Sequence, residues 1–277
     1  MTLRRIFESE KIEYYAAVPL SSLKVIKPYL LERLNIDAEV GSALVMCVPY
    51  YTASPENISA YACSRDYHLY FEGLFDRMIP KLRELYPEYS FWGFADHSPI
   101  DEVHAASMAG LGVIGDNHLF ITEKYSSFVF LGEIISDMPV QRYELPVSDC
   151  GVRTCIHCGA CSRGCPEELD TARCLSALTQ KKGTLSDEDK SRIIDHGVAW
   201  GCDKCQNVCP YTRAAAESGS IYTPIDFFME KRIEKIDLDS LYAMSEEEFF
   251  SRAFSWRGRE TIARNLKILG GEHECSD

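Results

Sequence analysis

The sequence has no apolar run approaching the roughly 18–20 residues that span a bilayer. Its N-terminus, MTLRRIFESEKIEYY, has no apolar core of the kind a signal peptide carries. A membrane protein and an exported protein are therefore not expected, and the reading is cytoplasmic. Basic residues are scarce: 29 Lys and Arg stand against 42 Asp and Glu, for a net charge of −13. Phosphate binding rests on clustered Lys and Arg, so the chain as a whole is no general nucleic-acid binder. No internal repeat and no low-complexity segment is present. The 277 residues, 46% hydrophobic, suffice for one large domain or a core domain with a smaller insert.

Cysteine, in contrast, is abundant, with 12 residues. The run CIHCGACSRGCP (155–166) has the spacing C-x2-C-x2-C-x3-C-P of bacterial iron–sulfur loops. A second run, CDKCQNVCP (202–210), is one cysteine short, and Cys174 between them makes up the set. Eight thiolates fill two 4Fe–4S cubanes. In such pairs the cysteine before proline ligates the other cluster. This assigns Cys155, Cys158, Cys161 and Cys209 to one cluster and Cys165, Cys174, Cys202 and Cys205 to the other. Pro166 and Pro210 are expected to stop each loop from running on as a helix. A disulfide framework does not suit a chain of this length without a secretory segment. Zinc needs only four ligands in separate C-x2-C knuckles, whereas two such steps here share a cysteine. Cys47, Cys63, Cys150 and Cys275 lie outside the pattern and read as buried or free thiols.

Hydrophobic periodicity predicts helices over 3–16, 22–34 (interrupted near Pro28), 58–85, 101–109, 170–179 and 187–196. The stripe of the long helix is Tyr67, Tyr70, Phe71, Leu74, Phe75 and Met78. Short strands are expected at 43–48, 91–95, 118–122 and 127–135, the last two as a hairpin across 123–126. A linker is expected over 139–148. After Pro210, two acidic helical stretches and a basic one (252–267) follow. Gly110, Gly112 and Gly115 match G-x-G-x-x-G, with Glu133 near the distance of a ribose-binding acid. That fingerprint must follow a strand and open a helix, and here a helical stretch precedes it. A bend that lets backbone approach another large ligand fits better. Asp96 follows a strand candidate, where a carboxylate suits acid–base work. Locally, a cap on a helix starting near Ser98 or Pro99 is the competing role. Asp66, Tyr67 and His68 read locally as a solvated or core-satisfied polar cluster.

Four stretches together resemble the epoxyqueuosine reductase family, the cobalamin and iron–sulfur enzymes of queuosine biosynthesis. They are YACSRDYH (61–68); DHSPIDE (96–102) with AGLGVIGDN (109–117); FVFLGEIISDMP (128–139); and the cysteine framework with ARCLSALT (172–179) and GCDKCQNVCP (201–210). The similarity runs from about residue 43 to residue 270. It implies an α+β fold: a nitroreductase-like α/β cobalamin domain over 1–145, a ferredoxin-like double-cluster domain over 146–213 and a helical extension over 214–277. It also implies reduction of epoxyqueuosine to queuosine in tRNA, with Asp96 as proton donor in place of a cap. Asp66, Gly110, Gly112, Gly115, Leu131, Ile134, Ser176, Cys202 and Asp203 align with positions near the cobalamin. Asp66-Tyr67-His68 starts the D-x-H-x-x-G pattern of proteins that ligate cobalt by histidine, but Phe71 replaces its glycine, so no axial histidine is expected. Val103 stands where the family usually has Arg, and Asp116 where it usually has Lys. The helical repeats that help hold tRNA in long members have no counterpart in this sequence. The basic element left for tRNA carries Arg252, Arg257, Arg259, Arg264 and Lys267. The expected electron donor is a flavodoxin or ferredoxin. The competing functions are another small-molecule reduction, such as dehalogenation, and a non-catalytic electron or corrinoid carrier.

Overall fold

The computed structural model describes residues 2–145 and 153–271, so Cys150, Cys275 and the end of the expected linker lie outside the described residues. The fold is α+β. The chain divides into two compact units, each assembled from three segments. One comprises Met1–Tyr50, His68–Cys158 and Ala214–Ile225; the other comprises Tyr51–Tyr67, Gly159–Arg213 and Asp226–Asp277. Their borders do not follow chain order. No helix among the described residues is long and apolar enough to cross a membrane.

The first unit holds α1 (Leu3–Ser9), β1 (Tyr14–Pro19), α2 (Pro28–Leu34), β2 (Ser42–Pro49), α3 (Tyr67–Leu85), β3 (Phe91–Phe94), α4 (Glu102–Met108), β4 (Val113–Ile114), β5 (Phe120–Ile121) and β6 (Val129–Ser136). Four strands form one antiparallel sheet in the order β1-β2-β6-β3. Every residue of β2 is buried, so both faces of the sheet are covered. One face carries Ala43, Val45, Cys47 and Ile135, packed with Ala105, Ala106 and Ala109 of the α4 region. The alternation of a strand sends Gly132 and Ile134 to the other face. There α3 lies close, because Gly132 and Gly93 have no side chain. A Cβ on Gly132 would stand 2.2 Å from the Phe71 ring, and one on Gly93 2.2 Å from the Phe75 ring. Strand glycines of this kind mark a close approach of another element.

That contact makes a stability prediction. Gly132→Ala forces a methyl into the fully buried Phe71 ring, an overpacking that costs about 1–3 kcal/mol. The rigidity alanine lends the unfolded chain offsets only about 0.4–1 kcal/mol of this. The net result is a lower denaturation midpoint with an unchanged m-value, read by urea unfolding.

Several helix expectations shift. The helix over 3–16 ends at Ser9, and Tyr14–Pro19 is a strand. Lys11 has φ 58°, which breaks the helix, and pairing with β2 then claims the β-prone YYAAVP. Pro28 opens α2 at its first turn instead of interrupting it, because no N–H is needed there. The segment 58–66 holds only a short 3-10 turn at Ala60–Ala62, and α3 starts at Tyr67. Of its expected stripe, Tyr70, Phe71, Leu74 and Met78 are buried, while Tyr67 and Phe75 are only half-buried. The expected hairpin of 118–122 with 127–135 does not form: β5 pairs with β4, and only an isolated bridge joins Thr122 to Ser126. The strands β2 and β3 and the helix over 187–196 fall where expected.

Residues 214–225 complete the first unit. Thr223 Oγ1 donates to the Pro49 carbonyl at 2.6 Å, and Ser220 Oγ to the Lys124 carbonyl at 2.8 Å.

The second unit contains α5 (Ala160–Gly164), α6 (Leu175–Thr179), α7 (Asp187–His196) and α8 (Lys204–Asn207). After these come α9 (Pro210–Glu217), which leaves the unit, then α10 (Asp226–Met229), α11 (Leu238–Ala243), α12 (Glu246–Phe250) and α13 (Arg259–Leu269). Its core gathers Trp200, Phe249, Phe254, Ile262 and Leu266. Trp200 is fully buried because its one polar atom is satisfied: Nε1 donates to Tyr61 Oη at 2.7 Å. Asn265, also fully buried, donates to the carbonyls of Thr179 (2.7 Å) and Ala199 (2.8 Å).

Candidate functional site

None of the eight framework cysteines is buried; Cys158 is exposed and the others are half-buried. Cys47 and Cys63, by contrast, are sealed in the cores, and burial pushes the Cys63 thiol up to about 12 and the Cys47 thiol higher. Those two are structural, as expected. The accessible set is the one with cluster spacing, and its donor chemistry fits iron. The first run turns at His157 (φ 53°) and Gly159 (φ 68°) before entering α5, which carries Cys161. Cys165 closes α5, its N–H donating to the Cys161 carbonyl at 2.9 Å. Cys174 precedes α6, and Cys205 lies on α8. The two runs pack directly on each other: a Cβ on Gly164 would meet Val208 at 2.6 Å. Pro166 ends its loop as expected, whereas Pro210 opens α9. Proline suits a first helical position as well as it suits a stop.

Beside Cys155, Asp116 Oδ1 and His157 Nδ1 are 2.7 Å apart, and the three ligand atoms lie within 4.8 Å of one another. The His157 hydrogen bond holds the Asp116 carboxyl below its usual range.

Asp96 lies just past β3. It is not a cap: Asp101 is the N-cap of α4, its Oδ1 accepting the His104 N–H at 3.1 Å. Asp96 has φ 63°, and the His97 N–H donates to the Ala95 carbonyl at 2.7 Å. A bond from residue i to i+2 around a positive φ is a γ-turn of the rare, strained kind. Such strain, of order 1–3 kcal/mol, concentrates at functional sites. The Asp96 carboxyl is half-exposed, with His68 Nε2 at 3.2 Å from its Oδ2.

Two more carboxyls stand behind this turn. Glu133, on β6, pairs across the sheet with Val45 and Phe94, which puts it on the α4 face. It has no exposed surface, and neither oxygen has a partner within hydrogen-bond geometry among the described residues. Burial, then the Glu102 charge, push its carboxyl well up, and the nearby Ser98 hydroxyl eases this only in part. Glu102 opens α4. Burial first, and the Asp96 charge second, push its carboxyl up to about 7.

Residues 154–213 match the model of the 4Fe-4S dicluster domain, a span that includes all eight framework cysteines. Epoxyqueuosine reductase from Pseudomonas aeruginosa is 34% identical over 231 residues, covering 78% of this chain and 61% of that one. The chain is a homologue of the epoxyqueuosine reductases. It spans about three fifths of the length of that curated relative. Two solved structures share the fold at 22% identity, each over 97% of this chain. One is an epoxyqueuosine reductase from Bacillus subtilis with its catalytic aspartate loop swung out of the active site (TM-score 0.71, 81% of that chain). The other is an epoxyqueuosine reductase with an epoxyqueuosine-modified tRNA-Tyr stem loop (TM-score 0.70, 80% of that chain).

The residues that the epoxyqueuosine reductase resemblance marks for cobalamin fall in both units. Gly110, Gly112, Gly115, Leu131 and Ile134 belong to the first, and Asp66, Ser176, Cys202 and Asp203 to the second. Leu131 and Ile134 project from opposite faces of β6, and Ile134 has no exposed surface to offer a cofactor. The glycine run follows α4 and contains β4, so it opens no helix and is not a dinucleotide fingerprint. A Cβ on Gly112 would meet the Ile121 carbonyl oxygen at 2.2 Å, so this glycine admits the neighbouring strand β5. Asp203 is a half-buried clamp that accepts from Ser59 Oγ (2.5 Å), the Ala60 N–H (2.6 Å) and Gln206 Nε2 (2.9 Å). The Asp66 N–H donates to the Ser251 carbonyl at 2.7 Å, and Ser176 Oγ accepts from Gln180 at 3.3 Å. The sequence reading gave His68, Glu102 and Glu133 no role beside Asp96. His68 and Glu102 stand within the stretches 61–68 and 96–102, which was the available signal. Glu133 needed the strand register.

Proposed function

We propose that the chain is a cytoplasmic, cobalamin-dependent iron–sulfur oxidoreductase that reduces epoxyqueuosine to queuosine in tRNA, with Asp96 as proton donor. The observation that carries this reading is the Asp96 turn: a carboxyl released from capping, held on strained backbone and backed by His68. The relatives' name and the dicluster match support it. The half-buried apolar side chains of Leu111, Val129 and Leu131 suit the flat face of a corrinoid. Bound cobalamin supplies a reducible cobalt centre, and the clusters supply electrons received from a carrier such as flavodoxin or ferredoxin. Removing the epoxide oxygen as water takes two electrons and two protons and leaves an alkene. Asp96 gives one proton to that oxygen as its C–O bond breaks, and His68 is placed to restore it.

The grip on tRNA falls to fewer cations than the sequence suggests. Arg252 is fully buried and donates to the Lys231 carbonyl at 2.7 Å, Arg259 donates to the Leu241 carbonyl, and Arg264 donates to the Lys181 carbonyl at 2.7 Å. Those three hold the second unit together. Arg257 is different: it stacks on the exposed Trp256 ring at 3.7 Å, a platform of the kind on which unpaired bases stack. Trp256→Ala or Arg257→Ala should raise KM for epoxyqueuosine-modified tRNA roughly five- to hundredfold, the worth of one stacked base, and leave the free nucleoside unaffected. Arg259→Ala should act on stability instead. Turnover of both substrates at low and physiological salt tests the reading. If anaerobic protein with clusters and cobalamin reduces neither, the substrate is a different small molecule.

A further inference from the structure

We propose that His97 is the positioning residue of this site: its imidazole bridges Lys27 and Tyr29 and so ties the strained Asp96 turn to the segment that opens α2. The inference rests on the proposed role of Asp96. Strand β3 ends at Phe94, and the chain is next fixed at Pro99, whose carbonyl accepts the N–H groups of Ile26 (2.9 Å) and Lys27 (3.1 Å). The Asp101 N–H donates to the Lys24 carbonyl at 3.0 Å, and Val25 forms a bridge with Ile100. Residues 24–27 are therefore a firm platform for the far end of the loop. Between the two fixed ends, residues 95–98 carry the γ-turn, closed by the bond from the His97 N–H to the Ala95 carbonyl. A turn of that kind at a residue other than glycine persists only where its surroundings hold it.

The His97 ring supplies that hold. Its Nδ1 lies 3.2 Å from Lys27 Nζ and its Nε2 lies 3.4 Å from Tyr29 Oη. An ammonium has donors only, so Nδ1 accepts from Lys27 and the ring proton sits on Nε2. Nε2–H then donates to the Tyr29 hydroxyl. One neutral ring thus spends both nitrogens on the start of α2: Lys27 stands just ahead of the helix and Tyr29 in its first turn. The backbone of both partners is fixed in turn. Lys27 is bonded to Pro99, and α2 packs into the sheet's core through Leu31. The two histidines divide the work. His68 meets the Asp96 carboxyl at 3.2 Å, and His97 holds the backbone that presents it.

Amide hydrogen exchange on the full chain with its cofactors reads the turn directly, in the peptide spanning residues 95–98, because the amide at position 97 closes it. His97→Ala keeps that amide and removes both tethers. Its exchange there should be about five- to tenfold faster, the worth of the lost hydrogen bonds. Turnover should fall by the same factor at unchanged KM, since fewer molecules present the carboxyl while the substrate contacts stay. His97→Gln, whose amide both accepts and donates, should recover part of both losses. Lys27→Met and Tyr29→Phe should each speed exchange about two- to threefold. Neither should add anything to His97→Ala, because both act through the ring. Equal exchange at position 97 in wild type and His97→Ala overturns the proposal. So do Lys27→Met and Tyr29→Phe effects that persist undiminished in the His97→Ala background. Should the wild type not reduce epoxyqueuosine at all, the substrate reading falls, while the exchange comparison still judges His97.

Discussion

Asp96→Asn is expected to lower turnover by roughly a hundredfold or more, the contribution of general acid catalysis, with iron content and unfolding midpoint unchanged. Asparagine preserves the size of the side chain and tolerates positive φ as aspartate does, so the γ-turn survives and only the titratable proton is lost. Two features make the outcome decisive. Asp101, not Asp96, caps α4, so no cap is removed. Asp96 contacts His68, and with both side chains more than half exposed the loss of that contact costs the fold little. Asp101→Ala serves as the contrast. It should cost about 1 kcal/mol of stability, as N-cap losses do, and affect turnover only through the position of α4. Normal turnover by Asp96→Asn would remove Asp96 from the chemistry.

Cys174→Ser is the second large effect. Anaerobic protein should carry about eight irons per chain, and the variant about four, since each cubane takes four thiolates. Cluster absorbance should fall by about half in step with iron, and turnover should vanish because electron delivery is interrupted. Cys47→Ala and Cys63→Ala are the controls. Both thiols are sealed in apolar cores, so their removal should alter stability and leave iron unchanged. About one zinc with little iron would sink the cluster assignment.

The cysteine framework was legible because cluster ligation is a local rule of spacing, and residues 154–213 carry it almost without help from tertiary structure. The buried strand β2 was legible for a similar reason: eight residues covered on both sides read as an unbroken apolar run. Tyr14–Pro19 was not, because its apolar residues extend the period of α1 and only pairing with β2 makes it a strand. The role of Asp96 could not be read locally, since two aspartates five residues apart compete for one helix start and the winner depends on where α4 meets the sheet. Glu133 looks like any polar residue in an alternating strand until the register sets it beneath α4. The arginines of 252–264 misled for a different reason. Their partners are mostly backbone carbonyls, which leave no trace in sequence.

The interleaving of the two units bears on how the protein is made on the ribosome. Residues 1–158 emerge with most of the first unit, but Thr223 and Ser220, which bond to Pro49 and Lys124, arrive only after 159–213 has been translated. At roughly 5–20 residues per second this leaves a window of seconds in which the first unit lacks its last segment. The framework thiols become available during the same window. Nascent chains stalled at residue 213 should therefore be far more sensitive to protease than chains released after residue 225, and iron supply during synthesis should govern the yield of native protein.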